Sequence, residues 1–175
     1  MCSIQGALSS FAKPRSYESI TVDTMKVLKI IKGTCADGPG LRNSVYVAGC
    51  IHKCPGCHNP GSWDFNAGTQ MSPLEVFQEV YDDYADVTFS GGDPMLQWTE
   101  VHEVCRMLKE RGKNIWLYTG YEYEDIVTRA PEILQVIDVL VDGRYEANKR
   151  DLTRFCGSTN QRIIHLKNGK IDHIE

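Results

Sequence analysis

The sequence predicts an α/β protein, an open, partial βα barrel with a mostly parallel sheet. Apolar, β-branched segments alternate along the chain with segments of helical periodicity, at the spacing of βαβ units. The 175 residues hold too few of these units to close an eight-stranded barrel. Most of the expected strands end in a glycine, a cysteine loop or a charged side chain. This pattern places the residues that carry chemistry at one edge of the sheet.

The chain divides into an N-terminal extension and one domain. Residues 1–24 show no helical or strand period and no apolar run long enough for a signal peptide, so we expect a disordered extension there. The domain is expected over residues 25–175. Its first strand is predicted at 26–31, where an apolar stretch follows Met25, and this strand is expected to cover an edge of the sheet.

Five further strands are expected where short segments are rich in β-branched and aromatic residues. They are predicted at 43–48, 86–90, 114–119, 138–142 and 162–166. Between two of them, Ser72 and Glu75 form a capping box with Pro73 at the first helical position. The apolar residues that follow at helical spacing are expected to pack on the sheet. They are Phe77, Val80, Tyr81 and Tyr84.

Two more helices are expected further along the chain. One runs from about residue 99 to a stop at Gly112, with Cys105 on its buried side. The other has a helical pattern over 126–136 and is interrupted by Pro131.

Composition and charge exclude several classes of function. The formal net charge of −4 offers no basic surface for nucleic acid, and no apolar run approaches the roughly 20 residues that span a membrane. Seven cysteines, three of them within eight residues, indicate a metal site in a reducing cytoplasm rather than a disulfide framework. We therefore expect a cytoplasmic protein without a nucleic-acid or membrane partner.

The most informative segment is a C-x3-C-x2-C loop directly after the strand at 43–48. Its cysteines are Cys50, Cys54 and Cys57. Pro55 and Gly56 allow the backbone to turn tightly around a bound centre. Two interpretations are open from the triplet alone. One is a zinc ion with His58 as a further ligand, and the other is a [4Fe–4S] cluster with one iron that has no protein ligand.

A second motif, Gly91, Gly92 and Asp93, follows the strand at 86–90. In a parallel sheet the carboxyl ends of the strands meet at one edge, so this turn and the cysteine loop are expected to converge. The glycine pair allows a ligand to approach bare backbone, and Asp93 offers an acceptor for a cationic amine.

Together the two motifs resemble the signature of the radical S-adenosylmethionine superfamily. Within it, the chain is similar to the activating proteins of anaerobic ribonucleoside-triphosphate reductases. The stretches that carry this resemblance are 37–42, 49–63, 89–94, 115–121, 139–144 and 157–161. The last of these reads Gly-Ser-Thr-Asn-Gln and distinguishes this family from other small radical enzymes.

The resemblance implies a fold of the radical S-adenosylmethionine type over residues 25–175. It implies that Cys50, Cys54 and Cys57 hold a [4Fe–4S] cluster, whose fourth iron is chelated by the amine and carboxylate of S-adenosylmethionine. The residues implied to contact this cofactor are Gly56, Cys57, His58, Gly91, Gly92 and Asp93. No catalytic side chain is expected beyond the cluster and the cofactor.

The resemblance also implies the reaction. Reductive cleavage of S-adenosylmethionine gives a 5′-deoxyadenosyl radical, which generates a glycyl radical on a partner, the anaerobic ribonucleoside-triphosphate reductase. A flavodoxin-type protein is the expected electron donor.

Two alternatives to this interpretation of the sequence are open. One is a radical enzyme acting on a small molecule, similar to 7-carboxy-7-deazaguanine synthase, and the other is a zinc-binding module without enzymatic activity. Many superfamily members carry an aromatic residue where this chain has Gly56, which leaves the adenine contacts unassigned. No role is predicted for Cys35 or Cys156.

Overall fold

The computed structural model describes residues 23–175, and the expectation for residues 1–24 falls almost wholly outside the described residues. Eight strands form one sheet. They are β1 (Met25–Thr34), β2 (Arg42–Val47), β3 (Thr69–Met71), β4 (Asp86–Gly91), β5 (Ile115–Tyr118), β6 (Val139–Asp142), β7 (Arg162–Lys167) and β8 (Lys170–Ile174). The sheet order is β3-β1-β2-β4-β5-β6-β7-β8. The chain is therefore a mixed α/β protein, as predicted.

The expectation of a mostly parallel sheet is wrong. Strands β2, β4, β5 and β6 are parallel to one another, which accounts for three pairings. The other four pairings are antiparallel and lie on the two flanks of the sheet. On one flank, β7 and β8 are joined only by Asn168 and Gly169, both with positive φ. A connection this short allows only a hairpin, because a parallel crossover needs a dozen or more residues.

The prediction that the first strand covers an edge of the sheet is wrong. Strand β1 pairs with β2 on one side and with the short β3 on the other, so β3 is the edge. Residues 69–71 lack the alternating pattern that marks a strand, and for this reason β3 was missed.

Three α-helices cover one face of the sheet. They are α1 (Pro73–Val80), α2 (Trp98–Lys109) and α3 (Tyr123–Arg129). The capping box at Ser72 is present, but α1 ends at Val80, so Tyr84 lies beyond it and is 91% exposed rather than packed on the sheet. The expected third helix is split around Pro131, with a short 3-10 turn at Ile133–Gln135 in place of its second half.

The sheet separates two apolar clusters. The larger one lies between the helices and the sheet and includes Cys105, which is fully buried, as predicted. The smaller one lies on the opposite face, where Trp116 packs with Cys156 and with residues of β6 and β7. Both faces of the central strands are therefore buried, as is usual for parallel strands. None of the helices within 23–175 is long and apolar enough to cross a membrane.

The start of β1 defines the first test. Met25 is fully buried and pairs with Met71, whereas the sequence before it has no apolar period that would offset the cost of ordering the chain. A protein that starts at Met25 is expected to keep the thermal midpoint of the full chain. One that starts at Gly33 lacks most of β1 and is expected to unfold at a clearly lower temperature. Thermal unfolding followed by circular dichroism decides this, and a loss of stability in the Met25 variant would contradict the assigned extension.

Candidate metal and cofactor site

The cysteine loop begins where β2 ends, at the carboxyl edge of the parallel strands. The Gly49 N–H donates to the Ser62 carbonyl oxygen (2.8 Å), which closes the loop onto the 3-10 turn at Pro60–Trp63. Within the loop, the Cys57 N–H donates to the Cys54 carbonyl oxygen (3.1 Å). Gly56 takes a φ of +74°, in the left-handed region that glycine tolerates, which allows the loop to turn tightly.

The three thiols of the triplet line one open cavity of about 600 Å³. Cys54 is 8% exposed, and Cys50 and Cys57 are half-buried. The Asn59 N–H donates to the Cys57 sulfur at 3.4 Å. Burial raises the pKa of the Cys50 thiol in the metal-free protein. The loop therefore presents three sulfur ligands to one space.

The other described cysteines do not complete a four-cysteine set. Cys35 is exposed, and Cys105 lies in the core behind the sheet. Cys156 reaches the cavity wall but packs in the Trp116 cluster, with its sulfur 3.9 Å from an Asp151 carboxylate oxygen.

The spacing of the donor atoms does not favour the zinc alternative. Among the described residues, no three of the four candidate donors have ligand atoms all within 4.8 Å of one another. These donors are Cys50, Cys54, Cys57 and His58. A tetrahedral zinc ion with Zn–S bonds of about 2.3 Å requires sulfur atoms closer than about 4.6 Å. In this structure the donor atoms are therefore spaced more widely than a single tetrahedral ion needs. The His58 ring is exposed and packs 4.6 Å from the Tyr145 ring.

The turn after β4 does converge on the cysteine loop. The Gly92 N–H donates to the Val47 carbonyl oxygen (2.7 Å), and the Asp93 N–H donates to the Gly49 carbonyl oxygen (2.8 Å). A Cβ atom at Gly92 would lie 2.2 Å from that Gly49 oxygen, and one at Gly91 would lie 2.4 Å from the Val47 nitrogen. The glycine pair is therefore required by the close approach of two backbones, a reason that the sequence alone did not reveal.

The Asp93 carboxylate is 1% exposed and is bound from several directions. It accepts hydrogen bonds from the Met95 N–H (3.0 Å), the Thr119 hydroxyl (2.8 Å) and the Gly120 N–H (2.9 Å). The His52 Nε2 lies 2.9 Å from Asp93 Oδ2 but is not aligned for a hydrogen bond. Asp93 thus connects the cysteine loop with the ends of β4 and β5. Its predicted contact with an amine ligand stays a prediction.

The strand end that carries Arg144 was expected at the site, and the structure shows Arg144 as a support of the cysteine loop. Arg144 Nη2 donates to the His52 carbonyl oxygen (2.7 Å). The loop that carries Arg144 is held in turn by the Gly-Ser-Thr-Asn-Gln stretch. Asn160 Nδ2 donates to the Arg144 carbonyl oxygen (2.8 Å), and Gln161 Nε2 donates to that of Gly143 (2.8 Å). This stretch acts on the site from a distance, so no local pattern could have placed it.

Comparison with known proteins gives a consistent result. Residues 36–164 match a family model described as a 4Fe-4S single cluster domain. Three similar proteins are each named anaerobic ribonucleoside-triphosphate reductase-activating protein. The one from Enterobacteria phage T4 is 36% identical over 145 residues, covering 78% of this chain and 92% of that protein. The one from Escherichia coli K12 is 31% identical over 144 residues, covering 75% of this chain and 92% of that protein. The one from Haemophilus influenzae is 34% identical over 153 residues (81% and 97%).

The crossing of the two backbones leads to a prediction for Gly92. Even Gly92→Ala forces a Cβ against the Gly49 carbonyl, and overpacking of this kind costs about 1–3 kcal/mol. We expect a lower thermal midpoint and less iron bound after anaerobic reconstitution. Gly61→Ala is the matched control, because a Cβ at Gly61 meets no atom within 4 Å. Equal iron content and equal thermal midpoints in the two variants would contradict the role assigned to the crossing.

Proposed function

Because the chain belongs to the family of anaerobic ribonucleoside-triphosphate reductase-activating proteins and contains a 4Fe–4S domain, we propose that Cys50, Cys54 and Cys57 hold a [4Fe–4S] cluster that binds S-adenosylmethionine at its fourth iron. The observation that carries this proposal is that three thiols on one loop face one cavity. No further cysteine of the described chain joins them as a fourth ligand. An iron without a protein ligand can accept a chelating cofactor.

Bound at this loop, the cluster and S-adenosylmethionine would supply a one-electron reductive cleavage, the source of the 5′-deoxyadenosyl radical needed to generate a glycyl radical on the reductase. The chain's own residues bind and orient. Asp93 and Arg144 fix the cysteine loop from two sides, which holds the three sulfur atoms in place before the cluster arrives. Gly91 and Gly92 keep the wall between β2 and β4 free of side chains.

The proposed cofactor contacts follow from the lining of the cavity. Cys57, His58, Gly91, Gly92 and Asp93 all line it. Gly56 is exposed between two of the cysteines and is proposed to contact the cofactor through its backbone. The methionyl amine is expected near the turn after β4, where the buried negative charge of Asp93 attracts a cation.

The partner proposed is the anaerobic ribonucleoside-triphosphate reductase, which is the protein that the relatives' names specify. An open cavity of about 600 Å³ in a chain of this size leaves little structure to enclose a second small molecule. This supports a flexible glycine-bearing loop of a protein as the second substrate. A flavodoxin-type protein is proposed as the electron donor, and the reducing cytoplasm as the compartment, because the thiols must stay free.

The parallel strands β2, β4, β5 and β6, with the cysteine loop at their carboxyl edge, support a partial barrel of the radical S-adenosylmethionine type. The antiparallel flanks on both sides are additions to that core.

The cluster assignment is tested by replacing each cysteine of the triplet. Cys50→Ala, Cys54→Ala and Cys57→Ala are each expected to abolish cluster binding, because two thiolates do not hold a cluster that already has an open iron. Cys105→Ala is the control, since its thiol lies in the core, and is expected to keep the iron and sulfide content of the wild type. Iron and acid-labile sulfide are measured per chain. A triplet variant that retains a full, active cluster would refute the assignment.

The role of Asp93 is tested separately from that of the cysteines. If its charge binds the methionyl amine, Asp93→Ala weakens S-adenosylmethionine binding by about 10- to 100-fold, since a charge-assisted hydrogen bond contributes about 1.5–3 kcal/mol. Iron per chain is measured in the same samples, so that weaker cofactor binding is separated from a loosened cysteine loop. Asp83→Ala, which removes an exposed carboxylate, serves as the control. Unchanged cofactor affinity in Asp93→Ala would restrict this carboxylate to holding the loop.

A further inference from the structure

A second group of metal-binding side chains lies on the β7–β8 hairpin, outside the cavity. Within residues 23–175 it is the one group of three or more His, Cys, Asp or Glu side chains whose donor atoms all lie within 4.8 Å of one another. Its members are His165, His173 and Glu175. None of them belongs to the motifs discussed above, and neither the family model nor the relatives' names refer to this hairpin.

The backbone of the hairpin brings these three side chains to one face. His165 on β7 is directly opposite His173 on β8. The Glu175 N–H donates to the Ile163 carbonyl oxygen (3.0 Å), so the pairing of the two strands continues to Glu175. Residues two apart on a strand share a face, and therefore Glu175 lies beside His173.

A β-bulge adds a fourth side chain. The register runs from His165 opposite His173 to Leu166 opposite Ile171, which leaves Asp172 as the extra, unpaired residue. Bulges redirect side chains. Here an Asp172 carboxylate oxygen lies 2.9 Å from His173 Nδ1, which leaves Nε2 of His173 as its available donor atom.

The contacts within the group are short. The two imidazole rings are nearly parallel (9°), with centroids 4.1 Å apart. The Nε2 of His165 lies 2.7 Å from Glu175 Oε1. A simple ion pair between His165 and Glu175 would not explain why His173 also lies beside them. The second imidazole, which has its own carboxylate partner, brings a further donor atom within 4.8 Å of the first two.

We propose that His165, His173 and Glu175 bind a zinc ion, with Asp172 orienting His173 as an outer carboxylate. Two imidazoles and one carboxylate are a common donor set for zinc, with a fourth position left for water. Histidine ligands of metals usually give their second ring nitrogen to a carboxylate, which is the arrangement of Asp172 and His173. The charges of Glu175 and Asp172 balance those of a divalent cation.

The zinc ion would join β8, the edge strand of the sheet, to β7. Every residue of β8 is exposed, and within the described part of the chain β8 pairs with β7 alone. The site is separate from the cysteine loop, because His165 pairs with Val139 at the first residue of β6, whereas the cavity lies beyond the last residue, Asp142. The zinc ion therefore stabilises the hairpin without entering the cluster site.

The test is a zinc titration of the cluster-loaded protein in competition with a chromophoric chelator. Iron is measured in every sample, so that zinc bound by an empty cysteine loop is recognised. The wild type is expected to bind one zinc ion more per chain than His165→Ala or His173→Ala, or to bind it at least tenfold more tightly. Asp172→Asn is expected to weaken binding by about tenfold, as for other outer carboxylates.

His102→Ala is the matched control. Its imidazole is similarly half-buried and also lies near a carboxylate, Glu103, at 3.5 Å, but it has no third partner in the described chain. This variant is expected to bind zinc like the wild type, and zinc is expected to raise the thermal midpoint of both. The proposal is overturned if the double variant of His165 and His173 binds zinc with the stoichiometry and affinity of the wild type.

Discussion

The site depends on one close approach of two backbones. Where β4 ends, the N–H groups of Gly92 and Asp93 donate to carbonyl oxygens of the segment that leads into the cysteine loop. The atoms are so close that no side chain fits at Gly92. Because these hydrogen bonds join main chain to main chain, they fix the position of the backbone at the start of the cysteine loop relative to the end of β4.

Two charged side chains extend this constraint around the loop. Asp93 is buried, and its negative charge lies beside His52 inside the loop and beside donors at the end of β5. From the other side, Arg144 holds the backbone of the same residue, His52. A loop fixed at its start and again at His52 loses little further entropy when it takes up a cluster. The supports of the site are thus spread over β2, β4, β5 and the segment after β6.

Local sequence patterns were sufficient to predict several elements of the fold and the metal-binding loop. The capping box at Ser72, the central strands and the cysteine triplet are recognised within a few residues, because their physical causes are local. Long-range pairing was not accessible in this way. The antiparallel flanks, the edge strand β3 and the exposure of Tyr84 depend on where distant segments pack. The sequence placed Thr119 and Gly120 at the same edge as Asp93 but not their hydrogen bonds to it, since these form only after β4 and β5 pair.

The central claim is that the cysteine loop holds a cluster whose purpose is to make a radical on another protein. Electron paramagnetic resonance measures this most directly. The cluster-loaded protein is mixed under anaerobic conditions with S-adenosylmethionine, a strong reductant and an anaerobic ribonucleoside-triphosphate reductase. The account predicts a glycyl radical signal on the reductase that disappears when S-adenosylmethionine is omitted or when Cys54→Ala replaces the wild type. A fully loaded protein that gives no such signal with its own organism's reductase would contradict the account.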